Sequence, residues 1–156
     1  MRALIKLLAP SIFSLAFFVF RSSLFQKSPR KHQWIMRVFR FTADNDSCKA
    51  LSVYGHLLHF RGEDVQNRIQ GAIYIQRAAD KGDMKSQYQM GKVYEMGYES
   101  YFSVSNEKSF HYYRLAASQG HSLAISRMIK VYKEGQLGEK ANADEVKHWQ
   151  SLQPVL

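Results

Sequence analysis

The sequence predicts an all-α fold, an α-solenoid of stacked antiparallel helix pairs, and three observations predict it. First, Ala78-Ala79-Asp80-Lys81-Gly82-Asp83 returns as Ala116-Ala117-Ser118-Gln119-Gly120-His121, offset by 38 residues at both alanines and at the glycine. Second, the aromatic landmarks Tyr74, Tyr112 and Trp149 keep nearly the same step. A period of this size marks a stacked helical array. Third, proline is scarce, and Pro10 and Pro29 precede any repeat, so nothing punctuates the many short strands of an all-β chain. With 46% hydrophobic and 22% charged residues, the chain has the composition of a globular protein and not of a disordered one.

The chain opens on an apolar leader, residues 1–26. Positions 7–20 carry no charge and are mostly apolar, and the run extends back to Ala3 if Lys6 snorkels. A spanning helix needs ~20 apolar residues, with ~17 as the low end, whereas a signal-peptide core takes ~7–15. Three readings stay open. A cleaved signal would release the repeats to the periplasm, although Arg21-Ser22-Ser23-Leu24-Phe25 offers no small-x-small cleavage site. A membrane anchor through residues 3–20 would put the repeats in the cytoplasm, on a bacterial inner membrane, because the Lys/Arg excess follows the run. Finally, the helix could pack on the end of the array or lie in the membrane interface. Initiation at Met36 would remove the leader altogether.

Residues 27–33 are polar and basic and read as a linker. The helical repeat array is expected over 34–153. It begins with a half repeat, 34–46, whose amphipathic helix ends in Thr42-Ala43-Asp44-Asn45-Asp46, a degraded copy of the repeated phrase with Asp46 at the glycine. Repeats follow at 47–83, 84–121 and 122–153. First-type helices are expected at 47–61, 84–95 and 122–134, each with a bulky residue near its end (Leu58, Tyr94, Tyr132) and each stopping at a glycine: Gly62, Gly97 and Gly135. A glycine past the last turn is the usual C-terminal cap, since it accepts positive φ. Second-type helices are expected at 66–80, 107–118 and 144–153. Asn106 and either Asn142 or Asp144 are the N-cap candidates. The last helix meets Pro154 where an alanine would stand, as in a truncated terminal unit.

Each motif residue has a packing task. Ala78-Ala79 and Ala116-Ala117 give a neighbouring helix a flat strip to approach, and Tyr74 and Tyr112, four residues earlier, lie one turn up on the same face. Gly55 and Gly91 sit inside first-type helices, where glycine costs ~1 kcal/mol against alanine. Close backbone approach offsets that cost. Gly82 and Gly120 end second-type helices and turn the chain back.

Met90-Gly91-Lys92-Val93-Tyr94-Glu95-Met96-Gly97, with Tyr112-Tyr113-Arg114-Leu115-Ala116-Ala117-Ser118-Gln119-Gly120, resembles the Sel-one-like repeat, a helical repeat related to the tetratricopeptide repeat. The resemblance covers about residues 34–153. Departures are Ile129 for the first-helix glycine, Gly62 displaced by one, and the missing last alanine pair. The resemblance implies a non-catalytic scaffold that holds protein partners, often at membranes, and it brings no catalytic residue and no cofactor.

The net charge of +9 belongs to the leader and linker: residues 1–40 carry eight Lys/Arg and no acid, which leaves 14 basic against 13 acidic residues in the rest. A near-neutral array lacks the clustered cations that phosphates require, so no nucleic-acid partner is expected. The apolar, basic N-terminal segment suits an anionic membrane surface. Cys48 is the only cysteine, which precludes a disulfide framework or a thiolate cage within one chain. His56 and His59 could face one metal, but nothing fixes a third ligand, so no metal site is assigned. No phosphate loop occurs: Gly135-Gln136-Leu137-Gly138 lacks the Lys-Ser/Thr that would follow. An enzyme, such as a hydrolase, would need an acid, base or nucleophile cluster that the sequence does not present.

Candidate partner-binding residues are Tyr98, Tyr101 and Phe102, in the connection after Gly97, because insertions in such arrays map to loops on one face, often the binding face. The opposing reading folds Tyr101 and Phe102 back to seal the core. A second candidate is a concave face carrying Arg61, Lys92, Glu95, Arg127 and Lys130, most of them expected to be solvated.

Overall fold

A computed structural model describes residues 2–22 and 29–153. Among them are eight helices: α1 (Arg2–Arg21), α2 (Pro29–Asp44), α3 (Cys48–Arg61), α4 (Val65–Asp80), α5 (Met84–Met96), α6 (Asn106–Ser118), α7 (Ser122–Glu134) and α8 (Ala143–Ser151). No strand occurs among the described residues. The fold is an all-α solenoid of antiparallel helix pairs. Two compact units divide it, Met1–Lys81 and Gly82–Leu156.

The linker expectation needs correction over half its length. Pro29 opens α2, so residues 29–33 are helical. Proline suits the first helical position because its missing N–H would find no partner there. Residues 27 and 28, the last residues of the leader and Pro154 lie outside the described residues.

In the first unit, α1 packs on α2 and α3. Ala9, Phe13 and Ala16, spaced by four and three residues, form its buried face. Phe13 joins Ile35, Phe39, Ala43, Leu51, Tyr54 and Tyr74 in one core. Phe39 is the hub: its ring centroid lies 5.0 Å from Phe13, 5.5 Å from Phe20 and 6.3 Å from Phe17. The leader helix therefore completes this core.

The α3–α4 pair closes on glycine. A methyl group on Gly71 would stand 2.4 Å from the His59 amide nitrogen and 2.8 Å from the Gly55 carbonyl oxygen, so only two glycines admit this approach. The α5–α6 pair of the second unit solves the same contact differently. Ser109, 38 residues after Gly71, donates its hydroxyl to the Gly91 carbonyl at 2.9 Å, and the face of Gly91 receives the Tyr113 ring. Tyr112 stacks on Tyr94 at 5.8 Å. In α7 Ile129 stands at the position of that glycine, and Met128, Ile125 and Ala124 pack with Tyr113, Ala116, Ala117 and Trp149.

The repeated phrase ends one helix and starts the next. The His121 amide donates to the Ala116 carbonyl (3.1 Å) and the Gly120 amide to Ala117 (2.9 Å), with Gly120 at φ +90°. This is the Schellman closure of a helix C-terminus. The worn copy closes the same way: Ser47 to Thr42 at 3.1 Å and Asp46 to Ala43 at 3.0 Å, with Asp46 at φ +67°. The residue after the turn caps the following helix. Asp83 accepts from the Ser86 amide and His121 Nδ1 from the Ala124 amide. Ser47 holds the equivalent place but makes no cap bond, and its buried hydroxyl has no partner.

Two cap expectations are corrected. Gly62 is extended (φ −62°) and not left-handed; a side chain is excluded there because a Cβ would meet the Leu58 carbonyl at 2.4 Å. The cap of α6 is Ser105, whose hydroxyl accepts from Lys108, and Asn106 is the first helical residue. Asn142 caps α8, accepting from both Asp144 and Glu145.

Candidate interaction surface

The loop between α5 and α6 is a small hairpin. The Tyr98 amide donates to the Phe102 carbonyl at 2.8 Å, and the Phe102 amide returns the bond at 3.0 Å. At the tip Glu99 and Ser100 both have positive φ, +48° and +56°, the paired left-handed pattern of a tight hairpin turn. The Ser105 amide donates to the Tyr94 carbonyl at 2.8 Å and ties the loop's exit to α5.

The hairpin divides its three aromatics. Phe102 folds inward, edge-on to Tyr94 at 5.7 Å, and is buried. Its assignment as a partner-binding residue is therefore corrected: a side chain spent on the core presents no surface. Tyr98 is half-buried. Tyr101 remains 59% exposed, with Met96 (69%) and Val104 (61%) exposed at the two ends of the loop. Large apolar side chains on ordered backbone are what interface cores use.

Two of the four charged candidates of the second unit, Glu95 and Arg127, are bonded to each other. Arg127 binds the Glu95 carboxylate through Nη2 at 2.5 Å and Nε at 3.3 Å, and donates through Nη1 to Gln136 Oε1 at 2.7 Å. The Tyr113 hydroxyl donates to the same carboxylate at 2.7 Å. Burial pushes the Glu95 pKa up, but the bonds from Arg127 and Tyr113 outweigh it and the net shift is downward. The Tyr113 hydroxyl is driven well above its ordinary value, by burial first and then by the neighbouring carboxylate. This network links α5, α6 and α7 and was not legible in sequence, since Glu95 and Arg127 stand 32 positions apart. Lys92 is half-buried and Lys130 exposed; Arg61, in the first unit, is exposed at the end of α3.

The remaining candidates have structural partners. His56 Nδ1 lies 2.7 Å from the Ser52 carbonyl, one turn back, and His59 Nδ1 lies 3.4 Å from the Arg68 carbonyl on α4. Among the described residues no group of three or more His, Cys, Asp or Glu converges as a metal site. Cys48 is half-buried at the start of α3. A cleft of about 650 Å³ lies between α7 and α8, lined by Ile129, Tyr132, Lys133, Val146 and Lys147 among others. Bulky Ile129 and Val146 stand where Gly91 and Ser109 bring the preceding pair together.

Paired helices, capped by a recurring turn and carrying an ordered loop, define a helical-repeat protein. Residues 48–83 and 85–121 each match the Sel1 repeat, so the chain carries two Sel1 repeats. No curated protein matches it. Among solved structures it is similar to a Sel1 repeat protein from Oxalobacter formigenes, with a TM-score of 0.73 and 20% identity, over 92% of this chain and 57% of that one. It is also similar to a protective antigen of uropathogenic Escherichia coli with an SLR fold (TM-score 0.62, 20% identity, 76% of this chain and 25% of that one). An immunity protein from Pseudomonas aeruginosa is a third likeness (TM-score 0.58, 18% identity, 97% and 57%). At these identities the likenesses establish the fold. This chain spans less than two thirds of the length of each.

Proposed function

We propose that this protein is a non-catalytic protein–protein interaction scaffold, held by α1 at the cytoplasmic face of a bacterial inner membrane. Its partner would seat on the loop after α5. The observation that carries the reading is Tyr101, exposed on a backbone-bonded hairpin between exposed Met96 and Val104. Order before binding reduces the entropy lost on association. The non-catalytic part is supported by the polar groups of the second unit, buried Tyr113 and half-buried Glu95 and Arg127, which are bonded to one another and to Gln136.

Retention of the leader is supported by its packing. Cleavage between residues 21 and 30 would remove Phe13, Ala9 and Ala16 from the core and open Phe39 to water. N-terminal sequencing of the native protein checks this, and a mature chain starting in that window would favour the periplasmic alternative. For the partner, a photo-crosslinking residue placed at Tyr101 in cells is expected to trap one protein, with none trapped from buried Phe102. The adduct formed from a crosslinker at Val104 should vanish in a Tyr101→Ser background. Absence of any specific adduct from positions 96, 101 and 104 would sink the loop as the docking site.

A further inference from the structure

We propose that α1 docks in the plane of an anionic membrane while it stays packed on α2 and α3, so that the first unit binds the bilayer without spanning it. This deepens the membrane attachment proposed above and rests on it.

The helix has two apolar faces. Ala9, Phe13 and Ala16 face the core, and Leu4, Leu7, Leu8, Ile12, Leu15 and Phe18 face away from it, all exposed, with Leu7 and Phe18 at 74%. No charged residue lies between Lys6 and Arg21. Six large apolar side chains in one continuous stripe exceed the scattered exposure normal for a soluble surface. A spanning helix needs lipid on every side. To span, α1 would have to withdraw Phe13 from Phe39 and Lys6 from Asp46, to which Lys6 Nζ is bonded at 2.8 Å. Alternatively it would carry into hydrocarbon the exposed arginines of α2, Arg30, Arg37 and Arg40, at high cost. Lying flat requires neither, and it buries the outward stripe to the depth of the headgroup–acyl boundary.

Charge selects lipid over a second copy of the chain. Residues 1–40 contain eight Lys/Arg and no acid. Arg21, Arg30, Arg37 and Arg40 are exposed, so two such surfaces repel each other, whereas anionic headgroups attract them. Trp34, exposed on α2 one turn from Arg30 and Arg37, is the residue type that settles at headgroup level.

The test is flotation of the full chain with vesicles of equal phosphatidylglycerol and phosphatidylcholine, against phosphatidylcholine alone. Carbodiimide coupling of Lys6 to Asp46 is then read by mass spectrometry in the floated fraction. The chain is expected to float with the anionic vesicles only, with the Lys6–Asp46 crosslink formed as in solution. Leu15→Asp and Phe18→Ser should each weaken binding roughly tenfold, the factor that losing one buried apolar side chain implies. Circular dichroism should be unchanged in both, since both side chains point away from the core. Flotation with the crosslink lost would mean that α1 leaves the core to span; that overturns the in-plane mode and leaves membrane attachment standing. Equal flotation with neutral vesicles would overturn the anionic requirement. Failure to float with either would overturn attachment as well, and a dimer in solution that Leu15→Asp dissolves would then assign the stripe to a second copy.

Discussion

Asp46 shows how one residue can take over the backbone role of another and acquire a second role. It occupies the left-handed position that Gly82 and Gly120 hold in the clean copies of the turn. Aspartate is among the few side chains that tolerate that conformation. Its carboxylate then receives Lys6 and Arg77, each at 2.8 Å, so a glycine there would close the turn and lose the link to α1. The bond from Lys6 first, and that from Arg77 next, hold its pKa at about 2. A carboxyl depressed below its unfolded value of ~3.9 adds stability that is complete above that value and disappears as pH falls through the folded one. Asp46→Asn should therefore flatten the loss of stability between pH ~4 and ~2, measured as the urea midpoint against pH; an unchanged slope would contradict the linkage. The glycines make a second residue-scale prediction. Gly71→Ala sets a methyl against the backbone of His59 and Gly55, whereas Gly91→Ala meets the Tyr113 ring from Cγ to Cε1, a buried ring whose hydroxyl is bonded to Glu95. Overpacking costs ~1–3 kcal/mol, against a helix gain of ~1 kcal/mol. Gly71→Ala and Gly91→Ala are each expected to lose about 2 kcal/mol, by urea denaturation.

At the scale of elements, α1 is the informative case. Its length and hydropathy fit a membrane span, yet in the structure it supplies Phe13 to the core around Phe39. If that packing matters, Phe13→Ala should destabilise the full chain by about 3 kcal/mol or more, read as a drop in urea midpoint. A leader merely appended to the repeats would give no change. The small residues Ala9 and Ala16 flanking Phe13 at helical spacing were the available signal for a packed face. The run's uniform apolarity hid it, because a hydropathy pattern cannot tell a face that meets protein from one that meets lipid. The hairpin was harder still: two aromatics adjacent in sequence, Tyr101 and Phe102, have opposite fates, and the reciprocal backbone bonds between Tyr98 and Phe102 decide which one turns inward.

For the whole molecule, charge is segregated: the excess lies in residues 1–40, and the repeats are near neutral. The two proposed contacts should therefore respond differently to salt. Raising salt from ~0.1 M to ~1 M shortens the Debye length from ~10 Å to ~3 Å, so release from anionic vesicles should increase severalfold. Binding of a partner through Tyr101, Met96 and Val104 is apolar and should hardly change. Flotation and partner capture over the same salt series would separate them; parallel loss of both would argue that one surface serves both contacts.

What the sequence determined by itself was local and periodic. The 38-residue step, the alanine pairs, the turn glycines and the helix positions follow from chain-neighbour spacing, which is written directly in residue order. The worn turn at Thr42-Ala43-Asp46 was legible for the same reason. The tertiary structure decided what depends on non-local approach: the Glu95–Arg127–Tyr113 network, the Gly55–Gly71 contact, the inward turn of Phe102 and the packing of α1 on α2. Each joins groups whose separation along the chain carries no signal, or selects one face of a segment whose faces are chemically alike.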